Sequence, residues 1–233
     1  MKKLIWILLF YFFIVIIFLS GVHGFSRTVT VMTENRQTEY RNCIVIDAGH
    51  GGIDGGAVSC SGKPESMYNL EIAGRLNDLL QFLGYNTYMI RTSDISVYTD
   101  GDSIAQKKIS DLKERVRIAN DEKNTLLLSI HQNNFSSSQY SGAQVFYASA
   151  KRSQELAERI QKSFVSSLNP GSKRQCKRSQ GVYLLEHITC PGVLIECGFL
   201  SNPEEEAKLR SPDYQKKICC IVGSCVSQFL SNT

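Results

Sequence analysis

The sequence predicts an α/β protein: a single domain whose twisted, mostly parallel (mixed) sheet is flanked by helices, preceded by an N-terminal membrane anchor or signal. Short apolar runs typical of buried strands alternate with segments in which apolar residues recur every three or four positions. The 233 residues are 42% hydrophobic and 21% charged, which excludes a disordered, fibrous or multi-pass membrane protein. Neither an internal repeat nor a second-domain boundary interrupts this pattern.

Residues 1–25 are predicted to be a transmembrane anchor or a signal peptide. Lys2 and Lys3 precede an unbroken apolar run over residues 4–19. The two lysines should stay in the cytoplasm, so the rest of the chain is expected outside it. Residues 22–24 make a poor cleavage site, which favours an uncleaved anchor, although both forms remain open.

The polar residues 26–42 predict a linker, and the folded domain is expected to span residues 43–233. Removing Lys2 and Lys3 with the N-terminal segment leaves 24 basic residues against 22 acidic ones. This balance gives no argument for nucleic-acid binding, and membrane contact is expected through the N-terminal segment only.

Each strand is predicted by a short apolar run and each helix by apolar residues at helical spacing. The predicted strands are Cys43–Asp47, Asn86–Arg91, Thr125–His131, Gln144–Tyr147, Val182–Leu185 and Val193–Glu196. The predicted helices cover residues 70–83, 112–119, 156–168 and 218–230. Gly84 is expected to end the first of them. Polar segments predict loops at 48–62, 92–110 and 169–181.

The eight cysteines leave two interpretations open. An even number in an exported chain is compatible with disulfides. Cysteines inside strand and helix patterns are instead typical of buried free thiols, which is the interpretation that their spacing favours. No C-x-x-C pair occurs, so a cysteine zinc site is not expected.

Polar residues end three of the predicted strands. Asp47 leads through Ala-Gly into His50, another strand ends at His131, and a third ends at Glu196. In parallel sheets the chemistry lies beyond the carboxyl ends of the strands. These side chains should therefore converge if the sheet order makes the three strands neighbours.

Two histidines with acidic residues nearby favour a metal site. A catalytic zinc site needs about three protein ligands and an open position. His50 and His131 offer two imidazoles, and Glu65, after a glycine-rich loop that can fold back, is the best third ligand. Glu196 would then be the general base. The alternatives are structural histidines, a helix N-terminal charge at Glu65 and a surface carboxylate at Glu196.

Several sequence blocks follow one another along the chain. They are 45–57 (VIDAGHGGIDGGA), Glu65 before 69–73 (NLEIA), Arg91-Thr92 with Asp94, Glu114-Arg115 before Ala119-Asn120, 129–133 (SIHQN) and 191–202 (PGVLIECGFLSN). In this order and at this spacing the blocks resemble the zinc-dependent N-acetylmuramoyl-L-alanine amidases of the bacterial cell wall. The resemblance covers about residues 43–230.

The resemblance implies a zinc enzyme that cleaves the amide between the lactyl group of N-acetylmuramic acid and L-alanine of the peptidoglycan stem peptide. The implied Zn²⁺ ligands are His50, Glu65 and His131. Glu196 is the implied catalytic glutamate, and Asp47 and Asn133 are candidates for supporting the ligands or contacting substrate. Residues 43–233 would then be the zinc amidase catalytic domain.

Two residues depart from the family pattern. Gln132 replaces the small residue common after the second histidine, and Cys197 replaces an apolar residue after the glutamate. Neither departure removes an implied ligand.

The short, anchored architecture is similar to that of the sporulation- and germination-specific spore cortex amidases. This similarity implies an extracytoplasmic location in the intermembrane space of the developing spore and a step towards muramic-lactam formation. An activating or anchoring partner protein in the cell envelope stays open. Some family members carry a helical plug after the second histidine; none is expected here, since residues 142–147 run almost directly into the helix at Ser153.

Two rival functions remain open: a zinc peptidase or deacetylase acting on another cell-wall amide, and a non-catalytic wall-binding protein. A basic cluster is either a solvated loop or a contact for anionic wall polymer, lipid headgroups or a partner. Its members are Lys173, Arg174, Lys177 and Arg178.

Overall fold

The computed structural model describes residues 43–121 and 124–231 of the chain, without the side chains of 124 and 125. The predicted anchor or signal over 1–25 and the linker over 26–42 lie outside these described residues. Among the helices of the described part, none is long and apolar enough to cross a membrane.

The described strands form a six-stranded sheet in the order β2-β1-β3-β6-β4-β5. Every neighbouring pair is parallel except β4 with β6, which is antiparallel. The strands are β1 (Cys43–Ala48), β2 (Asn86–Met89), β3 (Asn124–Asn133), β4 (Gln144–Tyr147), β5 (Lys177–Arg178) and β6 (Gly192–Phe199). The predicted mostly parallel, mixed sheet is therefore confirmed.

Helices cover both faces of the sheet, as the near-continuous apolar runs of its central strands require. The helices of the described part are α1 (Glu65–Phe82), α2 (Ile104–Ala119), α3 (Ser153–Ser167), α4 (Tyr183–His187), α5 (Pro203–Leu209) and α6 (Pro212–Ser231). Ile44 and Ile46 face a core built with α1, α3, α5 and α6. Val45 faces the second core, with α2 and α4, because successive side chains of a strand point to opposite faces.

The predicted strand at Val182–Leu185 is wrong, because these residues lead into helix α4. Leu184 and Leu185 are both buried on this short helix, so the apolar run reflects core packing and not an extended backbone. An apolar run this short has no period that separates a helix from a strand.

Most other elements differ from the predicted boundaries as well: α1 begins at Glu65 and not at residue 70, and α6 begins at Pro212 and not at residue 218. Helix α2 begins at Ile104, inside the predicted loop 92–110, where Ser103 and Gln106 form a capping box. Helix α5 was not predicted, although Asn202 caps it and Pro203 is its first residue. The short strand β5 lies inside the predicted loop 169–181.

The basic cluster is divided by the fold. Lys177 and Arg178 form the exposed edge strand β5, and Lys173 is exposed. Arg174 is half-buried, donates to the Ser141 carbonyl at 2.9 Å and lies over the Phe199 ring. Arg174 therefore holds the loop, whereas the other three side chains point into solvent.

All eight cysteines lie in the described part, and each is a free thiol. Five of them are buried: Cys43, Cys190, Cys197, Cys219 and Cys225. Burial raises the pKa of Cys197 well above its usual range, as expected for a thiol that packs as a small hydrophobe.

Candidate metal centre and active site

Neighbouring strands bring the predicted site residues to one edge of the sheet. Strands β1, β3 and β6 are adjacent and parallel, so their carboxyl ends meet. Asp47 lies opposite Ser129, and His131 lies opposite Glu196. Alternation along each strand places these four residues on the face that carries α2 and α4, beneath which Val45 is buried. The predicted convergence is confirmed.

His50 follows β1 in a left-handed backbone conformation, with φ of 60°. This conformation is uncommon outside glycine and is typical of functional sites. It turns the imidazole back towards α1, where Nε2 lies 3.3 Å from Oε2 of Glu65. The other ring nitrogen, Nδ1, lies 2.9 Å from Oδ2 of Asp54, which fixes the ring orientation.

Glu65 is the first residue of α1, and its carboxylate is buried between the two histidines. Oε1 lies 3.0 Å from Nδ1 of His131 and accepts the Gln132 backbone N–H at 3.1 Å. Asn69, one turn along the helix, donates to the same oxygen at 3.2 Å and to the Gly49 carbonyl at 3.0 Å. Asn69 thus ties the carboxylate to the loop that carries His50.

His131 packs directly on the backbone of Gly49. A Cβ atom at residue 49 would lie 2.1 Å from Nε2 of His131, so only glycine fits there. The rings of His50 and His131 are 5.0 Å apart and nearly perpendicular, at 74°. The contact with Gly49 therefore fixes the His131 ring in place beside the ring of His50.

The three side chains form a donor set suited to a divalent metal. One ligand atom from each of His50, Glu65 and His131 lies within 4.8 Å of the other two. Burial acts to lower the pKa of His50, but hydrogen bonds from Glu65 and Asp54 outweigh it and raise that pKa to about 9. Burial alone would raise the pKa of Glu65, but bonds to the two imidazoles hold it well below its usual range. Two imidazoles and a carboxylate match a catalytic zinc site, where the metal takes the place of these protons.

Glu196 lines a cavity of about 320 Å³ together with His50 and His131. Its Oε2 atom is buried and has no hydrogen-bond partner among the described residues. Burial, with the nearby charge of Glu65, raises the pKa of Glu196 to about 7 despite the opposing effect of the two histidines. A buried acceptor without a partner is costly and marks a group kept free for function.

Asp47 lines the same cavity, but its carboxylate is already bound. It accepts a hydrogen bond from a guanidinium nitrogen of Arg115 and another from Ser129 Oγ, the latter at 2.6 Å. Arg115 also donates to the His50 carbonyl at 2.8 Å. Asp47 therefore supports the His50 loop through Arg115.

Asn133 lies at the carboxyl end of β3, and its side chain does not line the cavity. Its carbonyl accepts the Leu200 N–H at 2.8 Å, which joins β3 to the end of β6. The sequence motifs contained Asp54, Asn69 and Arg115, but no role was predicted for them. The contacts that reveal their roles join positions far apart in the chain.

Comparison with known proteins agrees with this geometry. A family model described as N-acetylmuramoyl-L-alanine amidase matches residues 44–224. The germination-specific N-acetylmuramoyl-L-alanine amidase of Bacillus subtilis (strain 168) is 38% identical over 233 residues, which cover 99% of this chain and 96% of that protein.

Solved structures of such amidases have the same fold. The CwlD amidase from Clostridioides difficile, in complex with the GerS lipoprotein, is 36% identical with a TM-score of 0.78. The match covers 82% of this chain and 99% of that one. An N-acetylmuramoyl-L-alanine amidase from Clostridium difficile 630 is 28% identical with a TM-score of 0.72, covering 83% of this chain and 98% of that one. The chain therefore belongs to the N-acetylmuramoyl-L-alanine amidase family, as its sequence blocks predicted.

Proposed function

We propose that this amidase is zinc-dependent and cleaves the amide between the lactyl group of N-acetylmuramic acid and L-alanine in peptidoglycan. One observation carries the proposal. The ligand atoms of His50, Glu65 and His131 converge within 4.8 Å, beside a glutamate whose buried oxygen has no partner.

Zinc would be held by the two imidazoles and the Glu65 carboxylate. Bound there, it would polarise the scissile carbonyl and lower the pKa of a water molecule. Asp54 orients His50, and Asn69 and the Gln132 N–H orient Glu65. These contacts fix the ligands before the metal arrives, which lowers the cost of binding it.

Glu196 would act as general base and then as general acid. Its Oε2 takes a proton from the attacking water as the oxygen–carbon bond forms. The same atom then gives that proton to the amide nitrogen as the carbon–nitrogen bond breaks. The products are the lactyl carboxylic acid and a free L-alanine amino group. Burial raises the pKa of Glu196 in the metal-free site, and a metal cation bound beside it would lower that pKa and so favour the ionised form that accepts the first proton.

Asp47 serves the site indirectly in this proposal. With Arg115 it fixes the backbone that presents His50. For Asn133, the only observation that supports a role in binding substrate is its position at the end of β3.

The biological context is proposed from the relatives. One relative is a germination-specific amidase, and we infer that this chain acts on spore cortex peptidoglycan as a step towards muramic lactam. Such work requires an extracytoplasmic location, reached through residues 1–25 as signal or anchor. A related amidase forms a complex with a lipoprotein, which supports a partner protein in the cell envelope for this chain too.

Restraint by an internal plug is not part of the proposal. Residues 134–143, which join β3 to β4, contain no helix. We propose instead that expression, anchoring, weak metal affinity or a partner protein restrains the activity.

Product analysis tests the proposal. The full chain is incubated with purified peptidoglycan, with zinc or with a chelator, and the products are identified by mass spectrometry. We expect stem peptides with free L-alanine amino ends, released with zinc and absent with the chelator. Cleavage of another amide would favour the zinc peptidase or deacetylase. Binding without any cleavage would favour the wall-binding protein.

Two histidine variants, one at a proposed zinc ligand and one at the surface, test the ligand assignment. His131→Ala should lose both zinc and activity, because it removes a ligand. His187→Ala should keep both, because His187 stacks on Tyr183 at the surface away from the cavity. Equal activity of the two variants would contradict the ligand assignment.

A further inference from the structure

The charged side chains that line the Glu196 cavity are almost all paired. Arg115 is bound by Asp47 and, at 2.5 Å, by Asp111. Lys108 donates to Asp54 at 2.9 Å. Together these five groups carry two positive charges and three negative ones, so the paired groups alone give the lining one net negative charge.

Lys107 is the exception among the cations of this lining. It belongs to α2, it is half-buried, and no carboxylate of the described residues lies within 4.0 Å of its ammonium group. The ammonium lies 5.3 Å from the centre of the Tyr98 ring, a cation–π contact that limits its movement. The cavity thus presents one positioned positive charge without an acidic partner.

Lys107 lies in a lining that also includes Ile53 and Leu112, whose side chains are both exposed. Water therefore reaches a charge pair formed there and screens it in part. The group complementary to an ammonium without an acidic partner is an anion carried by the substrate.

We propose that Lys107 binds a free carboxylate of the stem peptide on the amine side of the scissile bond. This inference rests on the proposed function. The acidic residue after L-alanine is joined through its side-chain carboxyl, so its α-carboxylate remains free. The carboxylate of the third residue is the other source of the same chemistry. Lys107 is thus a substrate-binding residue that selects acidic over amidated peptides.

Synthetic muramoyl peptides test the inference with the full chain and zinc. One peptide carries both carboxylates, a second has a carboxamide at residue two, and a third has a carboxamide at residue three. We expect wild-type kcat/KM to fall about tenfold for one of the amidated peptides, mostly through KM. The peptide that suffers the loss identifies the carboxylate that Lys107 binds.

Variants of Lys107 separate this contact from other effects of amidation. Lys107→Ala should lose about tenfold on the acidic peptide and nothing further on the sensitive amidated peptide. Lys107→Arg should recover most of the loss. Lys113→Ala is the control, because Lys113 is exposed on the same helix and does not line the cavity.

Two results would overturn the inference. Equal wild-type activity on all three peptides would show that no carboxylate is recognised, whether or not the variants fold. Additive losses from Lys107→Ala and from amidation would show that another group reads the carboxylate. Failure of the wild-type enzyme to cleave any peptide would instead overturn the proposed function, and the inference with it.

Discussion

Asp54 is expected to set the zinc affinity of the site without being a ligand. Its Oδ2 lies 2.9 Å from Nδ1 of His50, and its Oδ1 lies 2.9 Å from Nζ of Lys108. Burial alone would raise the pKa of Asp54, but these two cations lower it to about 2. Asp54 is therefore ionised at neutral pH and holds the imidazole with its metal-facing nitrogen towards Glu65.

The size of the effect follows from this geometry. Loss of a carboxylate that orients a metal-binding histidine costs about 10- to 100-fold in metal affinity. The Asp54 side chain is 31% exposed, so water replaces part of the lost contact and the lower end applies. We expect Asp54→Ala to weaken zinc binding about tenfold, or ~1.4 kcal/mol. Asp54→Asn should lose less, because its amide oxygen still accepts the ring N–H.

Competition with a chromogenic zinc chelator at pH 7.5 measures this affinity directly. Asp213→Ala is the control, because Asp213 is exposed on α6, where it pairs with Lys216. Circular dichroism confirms that each variant is folded. Wild-type zinc affinity in folded Asp54→Ala would refute the argument that this hydrogen bond positions His50.

Three further predictions follow from the site. Glu196→Gln should lower kcat by about 10²- to 10⁴-fold and leave zinc affinity unchanged, because the general base is not a ligand. Gly49→Ala should lower zinc affinity on the order of 100-fold, because its Cβ displaces His131. Arg115→Met should cost about 3 kcal/mol in free energy of unfolding at pH 7, because it leaves the Asp47 carboxylate buried without its cation. The pKa of Asp47 is lowered, because Arg115 and Ser129 outweigh the effect of burial. The stability from this ion pair is therefore fully present above the unfolded carboxyl pKa of about 3.9 and is lost as pH falls below it and through the lower folded pKa. The difference in free energy of unfolding between wild type and Arg115→Met should narrow over that range.

Each of these three predictions can be tested against a control, and each has a result that would contradict it. Glu204→Gln, an exposed carboxylate on α5, controls for Glu196→Gln in steady-state kinetics, and equal kcat values would contradict the general-base role. The zinc titration of Gly49→Ala should be compared with that of Gly74→Ala, where an added Cβ meets no atom within 4 Å. For Arg115→Met, urea unfolding across pH is the measurement, and a gap that stays constant below pH ~3.9 would exclude ionised Asp47 as its cause.

The sequence predicted the proposed ligands and general base of the candidate site more completely than the residues that orient them. His50, His131 and Glu196 stood at or near strand ends, and the rule that parallel strands present chemistry at one edge brought them together. Glu65 was reachable through the glycine-rich loop that precedes α1. The roles of Asp54 and Asn69 were not predictable, since they depend on a left-handed turn at His50 and on a backbone approach visible only in three dimensions.

The errors in the fold have the same origin. Val182–Leu185 was apolar because Leu184 and Leu185 are buried, and burial alone does not distinguish a strand from a short helix. The first turns of α2 were placed in a loop because their surface is polar, whereas the Ser103 capping box marks the true start. Strand β4 has its predicted bounds, whereas α6, although strongly periodic, begins at Pro212 and not at the predicted residue 218.

The location of zinc tests the central claim most directly. Crystals of the Glu196→Gln protein grown with zinc and a muramoyl peptide would give an anomalous difference map at the zinc absorption edge. We predict one peak, about 2.0–2.2 Å from ligand atoms of His50, Glu65 and His131, with the scissile carbonyl beside it. A peak elsewhere, or none at these side chains while the wild-type enzyme shows zinc-dependent cleavage, would contradict the account.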